Sequence, residues 1–266
     1  EQFIDEVWKW KELSGNTIIN QTKRIGSSAD WSRNRFTMDD GLSEVVKNIF
    51  INLYENNLIY RGKRLVNWDI KLQTAVSDLE VINEEKDGYL YHIKYQIKDS
   101  SEYIIVATTR PETLFGDTAV CINPKDKRYN NLRGKKVILP IINREIPIIE
   151  DEIVDMEFGT GCLKITPGHD FNDYKIGKKH NLELINILNK DGTLNENVDQ
   201  KYVGSNIHTI RDNLIKDLEV DGLFVEKVKH KNTVPIGERT GETIEPLLTN
   251  QWFMDMTELA KEGIKV

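Results

Sequence analysis

Apolar side chains recur at helical spacing in the first part of the chain and predict two helices there. Residues 3–8 carry their apolar side chains on one face, and Gly15 marks the position where we expect this first helix to end. A second apolar stripe covers residues 42–54 and follows Thr37 and Asp40, which have the spacing of a capping box. The pattern assigns the aromatic side chains of this region to packing.

The period changes from helical to alternating after residue 69. Apolar side chains at every second position from Tyr89 to Ile97, the polar turn 99–101 and the run EYIIVATT predict a hairpin. Further elements are predicted as strands at KVILP, EIPII, CLKIT and LINIL and as helices over 170–177 and 207–218. Many short strands with few helices predict an α+β fold, in which a mixed, largely antiparallel, barrel-like sheet follows an N-terminal helical segment.

Composition restricts the function classes more than it restricts the fold. The 266 residues are 39% hydrophobic, and no apolar run reaches the length of about 18 residues that a membrane helix needs. The formal net charge of −7 argues against a broad electrostatic groove for nucleic acid, so we expect any RNA contact to be local. No basic start followed by an apolar stretch precedes residue 15, and we expect a cytoplasmic protein without membrane contact.

Neither of the two cysteines predicts a metal or disulfide site. Cys121 and Cys162 lie about forty residues apart without a second pair, which is typical of reduced structural thiols.

Two polar clusters carry the candidate chemistry, and the first is ATTRPET, residues 107–113. The strand IIVA delivers Thr108, Thr109 and Arg110 to its carboxyl end, and Pro111 suits the first position of a helical turn. Hydroxyl groups and a guanidinium then converge in a small space. From the residues alone, a capped turn and a binding site remain equally open interpretations.

The second cluster is FGTGCLKITPGHDFND, residues 158–173. Lys164 and Thr166 share one face of a strand by its two-residue repeat. If a helix begins after the strand, Asp170 and Asp173 lie on one face of its first turn, where the helix dipole favours negative charge. An ammonium group of a ligand would satisfy both carboxylates.

The second cluster has three other interpretations. A metal site of His169, Asp170 and Asp173 is disfavoured because adjacent His and Asp side chains diverge on a helix and no second cluster has ligand spacing. A nucleophilic triad is disfavoured because no GxSxG sequence occurs. Simple N-capping by Asp170, with Asp173 aiding the first turn, stays open.

Taken together, the segments resemble the connective editing insertion of the valyl-tRNA synthetases, a class I aminoacyl-tRNA synthetase family, from end to end and in the order of that family. The leucyl and isoleucyl families share parts of this pattern, but KITPGHDFND resembles the valyl type. Gly168 stands where relatives commonly have Ala, and we expect it to loosen the backbone slightly. The matching stretches are DWSRNRFTMDDGLSEVV, LIYRGKRLVNWDIKLQTAVSDLEV, ATTRPETLFGDTAV, FGTGCLKITPGHDFNDYKIGKKH and IEPLLTNQWF.

The resemblance implies a hydrolase that removes threonine from mischarged threonyl-tRNA(Val). It implies a helical segment over 1–70 leading into the insertion, an editing domain over 71–240, and a return strand and exit segment over 241–266. The HIGH and KMSKS motifs of aminoacylation are absent from the sequence, so we expect no valine activation by this chain. The resemblance implies no cofactor for this chain. It implies ATP with magnesium for the full-length enzyme.

The implied partners are the tRNA(Val) 3′ end, the threonine it carries and the remainder of the synthetase. Two alternatives stay open, namely a non-catalytic module that binds the tRNA 3′ end and an editing domain of the leucyl or isoleucyl type.

The resemblance also assigns roles to the polar clusters. Asp170 is expected to hold the α-amino group, and Asp173 with Thr113 or Thr166 to recognise the threonine hydroxyl. Lys164 and Arg110 are expected to steady the tRNA terminus or the developing oxyanion, and Phe158 to line the wall. A positioned water then attacks without a protein nucleophile or metal. The expected catalytic residues are Asp170, Thr166 and Lys164, and the expected substrate-binding residues are Thr108, Thr109, Arg110, Thr113, Phe158, His169 and Asp173.

Overall fold

The computed structural model describes residues 1–265, and the chain forms two compact units. Unit 1 comprises Glu1–Tyr60 and Phe253–Val266, and unit 2 comprises Arg61–Trp252. Within residues 1–70, which we expected to be helical, Ile59–Asp69 is a strand. The division into domains at residues 70 and 240 stays a prediction.

Helices and strands alternate along the chain. The α-helices are α1 (Gln2–Arg24), α2 (Asp40–Glu55), α3 (Phe171–Lys179), α4 (Arg211–Val220) and α5 (Thr257–Ile264). The strands are β1 (Ile59–Asp69), β2 (Thr74–Ala75), β3 (Val81–Ile97), β4 (Tyr103–Thr108), β5 (Ala119–Ile122), β6 (Lys136–Ile138), β7 (Glu145–Glu150), β8 (Cys162–Ile165), β9 (Phe224–Gly237) and β10 (Ile244–Met254). Short 3-10 helices cover Trp31–Arg33, Asp78–Glu80, Pro111–Gly116, Lys127–Leu132 and Gln200–Tyr202.

The predicted helices of unit 1 form, but their ends differ from the prediction. Helix α1 continues through Gly15 to Arg24, because an isolated glycine costs a helix only about 1 kcal/mol and no proline follows it in residues 16–24. Helix α2 is capped by Asp39, whose carboxylate accepts a hydrogen bond from Leu42 N at 2.8 Å, and not by Thr37. None of the helices α1, α2 and α5 contains a buried residue.

Unit 2 is built on a curled, half-barrel sheet of mixed direction, which confirms the predicted α+β class. The strand order is β4-β3-β6-β7-β5-β8, with β9 paired to β3. Strands β5 and β7 are parallel, and the other pairings are antiparallel. Strands β1, β2 and β10 form a separate sheet in the order β10-β1-β2.

The predicted hairpin is confirmed as β3 and β4, in which Tyr91 lies opposite Thr108. The predicted strand LINIL, residues 184–188, is wrong, because only Leu188 forms a bridge, to Leu194. The side chain of Asn186 exchanges hydrogen bonds with the main chain of Leu188, at 2.8 and 3.2 Å. Such local bonds compete with the ladder of a sheet.

The core of unit 2 fixes the ends of β4 and β8, where the two polar clusters begin. Ile93, Val106, Phe115 and Val120 are fully buried between the sheet and the segments that cross it. The ends of the strands are therefore held rigidly on the packed part of the molecule. In residues 1–265, no helix has the length and hydrophobicity required to cross a bilayer.

Candidate functional site

The two polar clusters meet around a single cavity of about 300 Å³ in unit 2. This volume is at the lower end of the range of about 300–1,000 Å³ for ligand pockets. Leu90, Ala107, Leu163 and Asn172, which we did not predict, also line it. All ten predicted site residues line the cavity, namely Thr108, Thr109, Arg110, Thr113, Phe158, Lys164, Thr166, His169, Asp170 and Asp173.

The first wall of the cavity, which we call the β4 wall, is the end of β4 with the 3-10 turn that follows it. Arg110 N donates a hydrogen bond to the Thr108 hydroxyl at 3.1 Å, and Pro111 is the first residue of the turn. The Thr113 hydroxyl donates to the carbonyl oxygen of Arg110 at 2.9 Å. The segment is therefore a side-chain-stabilised turn and also lines the cavity, so the two open interpretations of ATTRPET are compatible.

Arg110 belongs to a network of paired charges and is not available as a lone cation. Its guanidinium pairs with Glu245, contacts Glu112 at 3.4 Å and donates to the carbonyl oxygen of His169 at 3.4 Å. Glu112 in turn accepts two hydrogen bonds from Arg211, both at 2.9 Å. Burial opposes the charge of Arg110, but the carboxylates of Glu245 and Glu112 raise the pKa of its guanidinium above the usual value.

The second wall, the β8 wall, consists of the end of β8 and the start of α3. Lys164 and Thr166 share one face as predicted, and the Lys164 ammonium donates to the Thr166 hydroxyl at 2.6 Å. The same ammonium donates to the Thr113 hydroxyl at 2.9 Å and to Asp117 at 2.8 Å. Its three N–H groups are thus engaged within the protein, and its expected contact with the tRNA terminus would need one of these bonds to break.

Asp117 is the partner that sequence reasoning missed. Its side chain is fully buried, and it accepts hydrogen bonds from Lys164, from the Thr166 hydroxyl and, at 2.7 Å, from the Tyr95 hydroxyl. Burial raises the pKa of Asp117, and the Lys164 ammonium opposes that rise. The only signal in the sequence was one acidic residue inside the apolar run LFGDTAV.

Asp170 caps helix α3 and faces the cavity with the same carboxylate. Its Oδ1 accepts from Asn172 N at 2.7 Å and from Asp173 N at 3.0 Å, so the N-capping interpretation is confirmed. Its Oδ2 accepts no hydrogen bond from any of the described residues 1–265, and the side chain is exposed. One oxygen atom therefore stabilises the helix while the other remains open to a ligand.

Asp173 is the acidic residue of the first turn of α3, as the capping interpretation expects, and its carboxyl also bonds outside the helix. Its carboxyl turns back to accept a hydrogen bond from Thr166 N at 2.8 Å, and it is 7% exposed. Burial, and then the neighbouring charge of Asp170, raise the pKa of Asp173 to about 7. Near neutral pH this side chain is therefore present both as a neutral acid and as a carboxylate.

His169 forms a buried part of the wall. Its Nε2 accepts a hydrogen bond from Ile187 N at 2.9 Å, which requires a neutral ring. Burial, with Arg110 and Lys164 nearby, lowers the pKa of His169 to about 3. Over residues 1–265, no group of three or more His, Cys, Asp or Glu side chains is arranged to hold a metal ion.

The glycine-rich segments around the cavity are held by close contacts. A Cβ atom at Gly168 would lie 2.1 Å from the carbonyl oxygen of Ile185, so this backbone position has no room for a side chain, and the expected loosening of the backbone stays a prediction. The turn before β8 is tied by Arg128, which donates to the Met156 carbonyl oxygen at 2.6 Å. Phe158, in that turn, remains 51% exposed where it lines the cavity.

Two larger hollows, each of about 610 Å³, adjoin the cavity. Both share Thr109 and Arg110 with it. Tyr91 and Arg211 line one hollow, and Phe171 lines the other. The cavity therefore opens beside space that is large enough for a bigger ligand.

Comparison with known proteins gives a consistent result along the whole chain. Residues 1–266 match the family described as tRNA synthetases class I (I, L, M and V). Similar proteins include the valine–tRNA ligases of Legionella pneumophila (strain Paris), 58% identical over 99% of this chain, and of Francisella tularensis subsp. tularensis (strain SCHU S4 / Schu 4), 56% identical over 100% of it. The valine–tRNA ligase of Synechocystis sp. is 52% identical over 99% of the chain. The chain spans about 29% of the length of each of these relatives.

Proposed function

The chain belongs to the family of class I tRNA synthetases (I, L, M and V), and on that premise we propose that its cavity is the editing site that hydrolyses threonyl-tRNA(Val). Its identity of 52–58% to valine–tRNA ligases confirms the resemblance to the valyl type. The observation that carries the proposal is the single cavity shared by the Asp170 carboxylate and the side chains of Thr113, Thr166 and Asp173.

A second site is needed because a pocket built for valine cannot strongly reject threonine. The two side chains are nearly isosteric, and the valyl enzymes are a standard illustration of this limit of discrimination. A site that offers hydrogen-bond partners to the threonine hydroxyl reverses the preference. Valine would leave those buried partners without hydrogen bonds, at a cost of about 1–3 kcal/mol for each group.

The α-ammonium group of the attached amino acid fits the uncapped oxygen of Asp170. Oδ1 is held by the main chain of α3, so the carboxylate cannot rotate without breaking two hydrogen bonds. The N-terminal end of α3 also favours negative charge at this position. Asp170 therefore offers a fixed, negatively charged acceptor. It attracts the ammonium group of an aminoacyl ester and repels a carboxylate group.

The side chain of the attached amino acid then meets the hydroxyls of Thr113 and Thr166 and the carboxyl of Asp173. These three groups line the same cavity and are all buried. The adjoining hollows supply room for the terminal nucleoside, because each is about twice the size of the cavity. Charge attraction contributes little to docking of the tRNA, since Arg110 and Lys164 are both paired with carboxylates.

Hydrolysis requires only a positioned water, since the aminoacyl ester is already activated. The positive charge of the Lys164 ammonium, which Thr113 and Thr166 hold beside the cavity, provides preorganised electrostatic stabilisation for the charge of the tetrahedral intermediate. His169 is not a suitable general base, because its Nε2 lone pair is used by Ile187 N. A ribose hydroxyl of the tRNA itself can take that role.

We propose that the chain acts as part of a longer synthetase, as its relatives are longer than this chain. Its partners are the tRNA(Val) 3′ end and the remainder of a synthetase, in the cytoplasm. ATP with magnesium serves aminoacylation in such a protein, whereas the editing reaction proposed here uses no cofactor.

The proposal is tested by single-turnover deacylation with the 266-residue chain in excess over tRNA(Val) charged with threonine or with valine. We expect hydrolysis of the threonyl ester and sparing of the valyl ester. Binding of the charged tRNA without hydrolysis would favour the non-catalytic 3′-end module. Preference for charged tRNA(Leu) or tRNA(Ile) would favour the leucyl or isoleucyl type.

A further inference from the structure

Asp117 lies behind the cavity, and it contacts two of the polar groups that line the cavity. It is absent from the lining, and its carboxylate holds both Lys164 and Thr166. We propose that Asp117 is a positioning residue that sets the hydrogen-bond polarity of Thr166, so that the Thr166 hydroxyl, like that of Thr113, faces the ligand only as an acceptor. This inference rests on the proposed function and deepens it.

The assignment follows from a count of protons. A threonine hydroxyl has one proton and two lone pairs. The proton of Thr166 is donated to Asp117 Oδ1, and the proton of Thr113 is donated to the carbonyl oxygen of Arg110. Each hydroxyl also accepts from the Lys164 ammonium. Each oxygen keeps one free lone pair, but its proton is already donated within the protein. Neither hydroxyl can therefore donate to a ligand.

A wall made only of acceptors selects a ligand that brings its own donor. The hydroxyl of a threonyl ester can donate its proton to Thr166 or Thr113. The corresponding methyl group of a valyl ester cannot, and it would cover a buried lone pair without replacing its hydrogen bond. The polarity of the wall, and not its shape alone, therefore separates two nearly isosteric substrates.

The carboxylate of Asp117 is itself held so that it cannot turn away. Oδ2 accepts from the Tyr95 hydroxyl at 2.7 Å. The main-chain oxygen of Asp117 accepts from Arg144 at 2.7 Å, as does that of Phe115. Both ends of the residue are thereby fixed, and Oδ1 has one orientation, towards Lys164 and Thr166.

Removing the negative charge of Asp117 should change the orientation of the Thr166 hydroxyl. In Asp117→Asn the amide has the same shape, but it can present an N–H to Thr166, which would turn the proton of that hydroxyl towards the cavity. Lys164 and the amide would then occupy both lone pairs of this hydroxyl, so it would face the cavity only as a donor. We expect the ratio of threonyl to valyl deacylation to fall about tenfold, because the proton of the threonine hydroxyl no longer meets an acceptor on Thr166.

Two further variants separate positioning from loss of structure. Tyr95→Phe removes only the donor to Oδ2, and we expect the ratio to fall about threefold in the same direction. Thr118→Val is the matched control, because Thr118 is the buried neighbour of Asp117 and its hydroxyl has no hydrogen-bond partner among the described residues. We expect this control to leave the ratio unchanged.

The experiment measures single-turnover deacylation of threonyl- and valyl-tRNA(Val) by the whole chain, with thermal melting of each variant. Partial unfolding lowers both rates by the same factor and leaves their ratio constant. A folded Asp117→Asn variant with the wild-type ratio would overturn the inference. If that variant does not fold, an unchanged ratio in Tyr95→Phe would overturn it.

Calorimetric binding of two amide-linked analogues, threonyl- and valyl-aminoadenosine, separates this inference from the proposed function. If the wild-type chain hydrolyses neither ester, the proposed hydrolysis fails. A binding preference for the threonyl analogue that Asp117→Asn loses would still support the positioning role. Equal binding of the two analogues by the wild-type chain would refute that role.

Discussion

The β4 wall and the β8 wall place charged side chains beside the same cavity, yet their charges have different partners. On the β4 wall, the guanidinium of Arg110 is paired with Glu245 and Glu112, and Glu112 is paired again with Arg211. On the β8 wall, Asp170 keeps an oxygen that no described residue donates to, and Asp173 keeps a carboxyl whose pKa lies near 7.

This difference shows that a polar residue at the end of a strand need not be a ligand contact. Arg110 and Asp170 have the same position in their clusters, directly after a buried strand or turn. Arg110 uses its charge inside the protein, whereas Asp170 divides its carboxylate between the helix and the cavity. The comparison therefore predicts that substitutions on the β4 wall act mainly on stability and those on the β8 wall mainly on catalysis.

The largest expected effect is on the stability of the β4 wall. Arg110→Ala would leave the carboxylate of Glu245, 2% exposed, without its main partner. We expect a loss of about 3–5 kcal/mol in the free energy of unfolding, measured by urea denaturation. The double variant Arg110→Ala with Glu245→Gln should lose less, because no buried charge is then unpaired. A loss below about 1 kcal/mol in the single variant would contradict the pairing.

On the β8 wall, Asp170→Ala should lower threonyl-tRNA hydrolysis by about a hundredfold, or about 2.7 kcal/mol, because it removes the acceptor for the α-ammonium group. The same change removes the cap of α3, which costs about 1 kcal/mol of stability. Asp170→Asn is the matched control, since asparagine also caps helices but carries no charge. Wild-type hydrolysis by Asp170→Asn would remove the charge from the mechanism.

Asp173 predicts a dependence of stability on pH. Its pKa is about 7 in the folded chain against 3.8 as the usual value. The folded state therefore holds a proton that the unfolded state releases, and stability falls as pH rises from about 4 to 7. Asp173→Asn lacks this loss, so we expect it to be more stable than wild type by about 2 kcal/mol above pH 7.

Thermal melting of both proteins between pH 5 and pH 8 measures the effect. The advantage of Asp173→Asn should grow from pH 5 to pH 7 and stay constant above pH 7. A constant difference over the whole range would mean that Asp173 does not titrate in this window.

The smallest expected effect concerns discrimination at the β8 wall. Asp173→Ala should lower the ratio of threonyl to valyl deacylation by about fivefold, because one partner of the threonine hydroxyl is lost. The affinity for uncharged tRNA should not change. Lys175→Ala, an exposed change on the same helix, serves as the control. A changed tRNA affinity with an unchanged ratio would assign Asp173 to docking instead.

Sequence reasoning succeeded where the physics is local. Alternation of apolar residues predicted the β3–β4 hairpin and placed Lys164 and Thr166 on one face, and both are confirmed by the register and by the contact between the two side chains. The same pattern gave a wrong prediction at LINIL. Alternation of apolar residues carries no information about the hydrogen bonds between the Asn186 side chain and the main chain, which compete with strand pairing.

The contacts that define the site were beyond sequence reasoning because they join distant parts of the chain. Arg110 and Glu245 are separated by 135 residues, and Lys164 and Asp117 by 47. Spacing rules address neighbours on one helix or strand, so they give no partner for such a charge. Asp117 was visible only as an acidic residue in an apolar run, and its partner depended on the pairing of β5 with β8.

The sheet β10-β1-β2 has a consequence for the history of the gene. Unit 2 begins at Arg61 on β1 and ends at Trp252 on β10, and these strands are hydrogen-bonded neighbours. A segment whose two ends lie side by side can be acquired by a host chain at a single surface loop, without widening the gap that the loop must bridge. Recombination could therefore gain, exchange or delete this segment as one block, and the whole cavity would travel with it.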